Sequence, residues 1–241
     1  MKIRDFNALR FDVSQKPYDF STSQGMRLLR ANVDSFLRHL GVKTRRVYFM
    51  KQVHSDHIAC LDDGPEMYDY YGYKILPATD ALITARKNLA LVSRISDCTP
   101  VLLYDPVRNV QACIHSGWRP TVKKLPAKAL AMMQHRYGTR PRDVFAYIGP
   151  CIGRRSFQVG KEVSAAWREA FSFADRVIYR DDAEHDHIDL KMTHIRMLLQ
   201  AGIPEEHITV NARDTFTDPR YHSYRRDRPH YGSNALISVL R

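Results

Sequence analysis

Residues 94–119, RISDCTPVLLYDPVRNVQACIHSGWR, carry two apolar runs, each beside a chemically able side chain. Val101-Leu102-Leu103-Tyr104 and Val110-Gln111-Ala112-Cys113-Ile114-His115 read as neighbouring strands, because Asp105-Pro106-Val107-Arg108-Asn109 between them has the composition of a tight connection. Cys98 stands just ahead of the first run and His115 ends the second, directly before a Gly-Trp-Arg turn. Strand ends of this kind present reactive groups on a rigid scaffold. By the two-residue period, Cys113 shares a face with His115, and it reads equally well as a buried structural thiol.

The pattern continues outward on both sides. Residues 46–54 read as a strand that places Gln52 and His54 on one face, with Val47, Phe49 and Val53 on the other. Ahead of it, Leu28, Leu29, Val33, Phe36, Leu37 and Leu40 recur at helical spacing over 26–40, with Gly41 as the C-cap. Residues 1–25, with Pro17 and several Ser and Thr, read as strand and loop. Residues 61–77, with four tyrosines, Gly64, Pro65, Gly72 and Pro77, read as a long excursion, a lid or decoration. Apolar runs follow at 81–84 and 89–93, and Asp80 before the first reads as a turn residue.

Downstream, 122–137 is helical in pattern, with Pro126 suited to a first turn and Gly138 to the end. A helix beginning just after His115-Ser116-Gly117-Trp118-Arg119 points its positive end at that turn, where an anion is favoured. A strand at 145–148 runs into Gly149-Pro150-Cys151-Ile152-Gly153, a sharp turn. Helices at 163–173 and 188–201 and strands at 208–210 and 236–240 complete an α/β chain. No repeat, low-complexity tract or linker divides residues 1–241, so one domain is expected.

Composition narrows the function classes. With 44% apolar and 26% charged residues the chain has the make-up of a soluble globular protein. It contains no apolar run long enough for a span, and residues 1–16 lack a secretory signal pattern, so no membrane partner and a cytoplasmic location are expected. Cys60, Cys98, Cys113 and Cys151 form no C-x-x-C pair and read as thiols. The net charge of +11 invites a nucleic-acid reading. The basic residues are scattered, however, with only short doublets such as Lys123-Lys124 and Arg225-Arg226, which favours a surface that attracts small anions.

His54, Cys98 and His115 come from separate segments. Three nitrogen or sulfur donors with an open fourth position suit a catalytic zinc, whereas a structural zinc wants four protein ligands. Cys98 with His115 as base also makes a metal-free nucleophile, and two buried structural thiols, Cys98 and Cys113, are the plain alternative.

Six ordered stretches sharpen the choice: KQVHSD (51–56), TDALIT (79–84), SDCTPVLL (96–103), IHSGWR (114–119), IGPCI (148–152) and HSYRRD (222–227). Together they resemble the laccase-domain, or YfiH-type, family, whose members are described as polyphenol oxidases and as purine nucleoside phosphorylases with adenosine deaminase activity. The resemblance implies mixed β-sheets packed together with flanking helices, and a metal-binding catalytic set that falls here on His54, Cys98 and His115. It implies zinc, with copper possible, and a purine nucleoside with phosphate as substrates. Gln52 and Asp97 are then candidates to orient a ligand or the nucleoside, and Arg119 and Arg225 to hold phosphate. A copper-dependent polyphenol oxidase and a metal-free cysteine hydrolase using Cys98 and His115 remain as alternatives. The chain departs from the family pattern at Ser96, Ser116 and Pro120 beside the expected site, at Asp214, and at Gly232-Ser233, where Gly-Arg is usual; the last change bears on how an anion is held.

Overall fold

The computed structural model describes residues 1–70 and 72–241. Tyr71, one of the four tyrosines of the 61–77 excursion, lies outside them.

The central strands are buried at every position, and alternation along them sorts the side chains into different layers. The first six-stranded sheet contains β1 (Leu9–Val13), β2 (Val47–Met50), β4 (Tyr68–Tyr70), β5 (Tyr73–Leu76), β7 (Ala90–Ile95) and β15 (Asn234–Leu240), in the order β1-β15-β7-β2-β5-β4. The second contains β3 (Ile58–Cys60), β6 (Ala81–Thr84), β8 (Thr99–Asp105), β9 (Val110–Ser116), β10 (Phe145–Ile148) and β14 (Ile208–Val210), in the order β14-β10-β8-β9-β6-β3. Both sheets mix parallel and antiparallel pairs.

The sheets face one another across a shared core. Leu91 of β7 and Leu236 of β15 meet Leu102, Tyr104 and Cys113 of the second sheet there. Their neighbours point the other way: Val92 and Ile237 pack under helix α1 (Met26–His39), and Leu103 and Ala146 under α3 (Leu125–Tyr137). A period of two on every central strand thus builds three apolar layers from two sheets. A three-stranded sheet of β11 (Gln158–Gly160), β13 (His185–Ile188) and β12 (Ile178–Arg180) closes a fourth core with α4 (Lys161–Ala170) and α5 (Leu190–Gln200) around buried Trp167. The remaining helices are short, α2 (Trp118–Val122) and α6 (Tyr224–Asp227). No helix among the described residues is long and apolar enough to cross a membrane.

The central hairpin forms as its sequence requires. Thr99 to Asp105 pair antiparallel with Ser116 to Val110, and Asp105 accepts the Val107 and Arg108 amides to close the turn. The helix at 26–40 also forms, ending at Gly41 in the left-handed conformation.

Elsewhere the boundaries shift for local reasons. The strand expected over 46–54 ends at Met50, because the amides of residues 53–55 turn to a buried carboxylate instead of a neighbouring strand. The helix expected over 122–137 begins at Leu125 with Pro126 in its first turn, because Lys124 adopts a positive φ of 60° and separates it from α2, to which Val122 belongs. The 61–77 excursion contains the β4–β5 hairpin. The helix expected over 163–173 runs over Lys161–Ala170, and the one expected from 188 begins at Leu190 with Asp189 as its cap, since Ile188 still belongs to a strand.

Candidate metal centre

Cys98 lies in the turn between β7 and β8, His115 near the end of β9, and His54 in the loop after β2. Each comes to the same point from a different segment, and one donor atom from each lies within 4.8 Å of the other two. Cys98 Sγ is 3.7 Å from His54 Nε2, and the imidazoles meet edge to face with ring centres 4.9 Å apart. Strand pairing fixes part of this arrangement, since Pro100 sits opposite His115 in the hairpin.

A single carboxylate fixes much of the rest. Asp80, fully buried ahead of β6, accepts the His115 Nδ1 proton at 2.8 Å. It also accepts the backbone amides of Val53, His54 and Ser55 at 3.3, 3.2 and 2.7 Å, and the Ser55 hydroxyl at 2.7 Å. His54 is held there at φ 59°, a left-handed conformation that costs a side-chain-bearing residue energy and persists only where surrounding bonds enforce it. One side chain thereby sets the loop that carries the first imidazole and the tautomer of the second. With Nδ1 donating to Asp80, the nitrogen left to face Cys98 is His115 Nε2.

Gly117 completes the geometry by what it lacks. A Cβ there would stand 2.7 Å from Cys98 Sγ and 2.9 Å from His54 Cδ2, so only glycine lets the chain pass this close to two of the three donors.

Burial pushes the Cys98 thiol up, but the His115 and His54 imidazoles more than offset it and bring the group down to about 6. Burial disfavours charge on His115, yet Cys98 and Asp80 raise it to about 9. Asp80, pushed up by burial, is pulled down to about 2 by His115 and Ser55. At neutral pH, with no ion bound, the donor set is a Cys98 thiolate beside a protonated His115 that is backed by a carboxylate, with the His54 imidazole against the sulfur. This is the composition that a tetrahedral zinc site with three protein ligands uses, including the outer carboxylate that orients a ligating histidine. By contrast, burial raises Cys113 to about 12, and it fills space between the sheets.

The three donors open into a cavity of about 1200 Å³, whose wall also includes Gln52, Arg94, Ser96, His222 and Tyr231. Gln52 is in the wall with its amide clamped to the Arg94 backbone, donating to its carbonyl at 2.7 Å and accepting its N–H at 2.9 Å. Asp97 is directed elsewhere, accepting from Thr215 Oγ1, Ser223 Oγ and the Arg225 amide, and so joins the Cys98 turn to the C-terminal segment. Arg119 and Arg225 are not among the residues lining this cavity. Arg119 lies over the Trp118 ring at 4.3 Å, and Arg225 donates to the Gln158 carbonyl and rests near Phe157. The departures also find places: Ser96 donates to the Gly232 carbonyl at 2.7 Å, whereas Asp214 accepts from Ser156 and the Phe216 amide.

The sequence reads Asp80 as a turn residue and gives Gly117 and Arg94 no role at the site. Asp80 directly precedes a strand buried at every position, a place where a carboxylate needs internal donors, and that signal was present. Nothing in the spacing announces Arg94, whose neighbours belong to other segments.

The family model described as multi-copper polyphenol oxidoreductase laccase matches residues 12–241. Purine nucleoside phosphorylase YlmD of Bacillus subtilis (strain 168) is 28% identical over 236 residues, covering 94% of this chain and 84% of that protein. Adenosine deaminase RL5, from an unknown prokaryotic organism, is 30% identical over 192 residues, covering 79% and 72%. Among solved structures, the hypothetical protein YfiH of Bacillus licheniformis superposes with a TM-score of 0.85 at 26% identity, covering 99% of this chain and 95% of that one. YlmD from Geobacillus stearothermophilus gives 0.88 at 23% identity, covering 98% and 93%, a likeness of fold.

Proposed function

We propose that this chain, which belongs to the multi-copper polyphenol oxidoreductase laccase family, is a single-domain enzyme that cleaves purine nucleosides with phosphate and deaminates adenosine. The reading adds zinc as the ion, held by His54, Cys98 and His115, with copper as the alternative. The convergence of those three donors on one point of a large cavity is the observation that carries it. Relatives named for purine nucleoside phosphorolysis and for adenosine deamination supply the substrate class.

When bound, the ion would supply Lewis acidity at the end of the cavity that the three donors define. The chain supplies the rest. Asp80 holds the His115 proton on Nδ1, which leaves Nε2 as the nitrogen that would face an ion once that ion displaces the second proton of the imidazolium. Cys98, a thiolate at neutral pH, brings the negative charge that makes a dication tolerable in a part-buried place. The cavity wall orients the nucleoside and excludes bulk water. In phosphorolysis a phosphate oxygen forms a bond to the ribose anomeric carbon while the bond to the purine nitrogen breaks, the purine leaving with the electron pair and taking up a proton. In deamination water oxygen replaces the amino group, which leaves as ammonia.

The pairing of a Cys98 thiolate with a protonated His115 also favours a second reading, a metal-free cysteine hydrolase. That chemistry leaves His54, held against the sulfur in a strained conformation, without a role. Chromatography of products from adenosine with and without phosphate tests the main reading. It expects adenine and ribose 1-phosphate only when phosphate is present, inosine in both cases, and loss of both after chelation. Activity that survives chelation and is abolished by thiol alkylation would favour the hydrolase.

A further inference from the structure

Arg94 sits in β7, in the wall of the cavity that holds His54, Cys98 and His115. Its backbone is fixed three ways, by both amide groups of Gln52 and by pairing with Ala235 of β15. The side chain is not fixed in the same sense. Among the described residues no carboxylate, carbonyl or aromatic face partners its guanidinium, although the group is largely withdrawn from water and burial lowers its pKa. The titratable neighbour acting on it is the Tyr70 phenol, not a carboxylate.

Nearby cations are different. Arg226 donates to Asp227 and to the carbonyls of Thr215, Phe216 and Tyr221, and Lys16 lies 3.9 Å from Asp227. The carboxylates of the cavity wall are also engaged. Asp19 accepts from Ser21, Gln24 and Ser233, and Asp227 accepts from Ser223 and Arg226. The wall therefore contains one part-buried positive charge that the protein leaves uncompensated. Buried charges are ordinarily paired, and the missing partner here is an anion brought by a ligand.

We infer that Arg94 anchors a phosphate group in this cavity, as the fork-shaped guanidinium binds two phosphate oxygens at once. The inference deepens the nucleoside reading, on which it rests for the identity of the anion. It also gives that role to an arginine inside the cavity, in place of Arg119 and Arg225 outside it. Two sources share the chemistry: inorganic phosphate as the attacking substrate, and the 5′-phosphate of a nucleoside monophosphate.

Calorimetric titration of the metal-loaded protein with inorganic phosphate, and separately with AMP, tests it in wild type, Arg94→Met and Arg94→Lys. Equal thermal midpoints and metal contents would show that the variants are folded. Arg94→Met is expected to weaken binding at least tenfold, with Arg94→Lys between. A loss confined to inorganic phosphate assigns the site to the attacking substrate, and a loss confined to AMP assigns it to the ester. Arg94→Met that binds both ligands as wild type does, or a wild type that binds neither at millimolar concentration, overturns the inference. A wild type that binds phosphate through Arg94 but cleaves no nucleoside overturns the phosphorolysis reading and leaves the anchor standing. Phosphorolysis with an unchanged phosphate KM in Arg94→Met, together with undiminished AMP binding, does the reverse.

Discussion

Replacing Asp80 by Asn changes one oxygen to a nitrogen in a side chain with no solvent exposure, and the structure says what that should cost. The carboxylate accepts five donors, three backbone amides, the Ser55 hydroxyl and His115 Nδ1. An asparagine keeps one acceptor oxygen and turns an NH2 toward groups that themselves donate. If the oxygen takes the Oδ1 place, which serves His115 Nδ1 and the His54 amide, the Val53 and Ser55 amides lose their acceptor. If it takes the Oδ2 place, His115 loses the bond that fixes Nδ1 as its donor and the His54 amide loses one of the bonds that hold that residue at φ 59°. Each donor left buried without a partner costs about 1–3 kcal/mol, and removal of one member of a buried charged pair costs about 3–5 kcal/mol. Loss of an outer carboxylate on a ligating histidine weakens metal affinity by roughly 10–100-fold. Both effects are measurable, the first by denaturant unfolding of metal-free protein and the second by competition with a chromophoric chelator. The acid limb gives an independent check. Because Asp80 is held below its ordinary value of 3.8, at about 2, its contribution to stability is present above 3.8 and is lost as pH falls toward 2. The variant should lack that part of the acid transition. An Asp80→Asn protein with wild-type metal affinity and an unchanged stability profile would refute the reasoning.

Gly117→Ala removes no donor, yet its new Cβ would lie 2.7 Å from Cys98 Sγ; it should lower metal affinity at least tenfold while the secondary structure by circular dichroism is retained. In metal-free protein the thiolate absorbance of Cys98 should rise with a midpoint near 6, and His115→Ala should move that midpoint upward, since His115 lowers it. A midpoint near the ordinary thiol value of 9 in wild type would contradict the geometry. Asp97→Ala leaves Thr215 Oγ1, Ser223 Oγ and the Arg225 amide without their acceptor. It should therefore destabilise the fold by about 2–4 kcal/mol in urea unfolding, and a wild-type unfolding curve with a raised nucleoside KM would instead make Asp97 a substrate contact.

Where local pattern and tertiary demand agree, the sequence was readable. The central hairpin is specified by two strand runs and an Asp-Pro turn, and the structure places all seven residue pairs in register. The first helix is specified by its apolar spacing and Gly41. His54, Cys98 and His115 were legible as chemically able residues at the ends of apolar runs, but their convergence was supplied by resemblance, because spacing along a chain does not encode which loops meet. The loop after β2 shows why strand periodicity fails near the site. Residues 51–54 continue an alternating pattern, yet the buried carboxylate of Asp80 captures the amides of residues 53–55 and turns the chain out of the sheet. Long-range capture of this kind also explains Asp97, which lies beside Cys98 in sequence but bonds to residues 118 and 126 positions away. Pro126 lies in the first turn of α3, as its place in the pattern suggests, whereas the positive φ of Lys124 that separates α3 from Trp118–Val122 leaves no mark in the apolar spacing.

Metal content and nucleoside turnover, measured on the same preparations of wild type, His54→Ala, Cys98→Ala and His115→Ala, test the account most directly. It predicts one equivalent of zinc or copper in wild type, loss of that ion from each variant, and loss of adenosine conversion in step with it. A folded Cys98→Ala protein that converts adenosine as fast as wild type, or a wild type fully active with no ion bound, would contradict it.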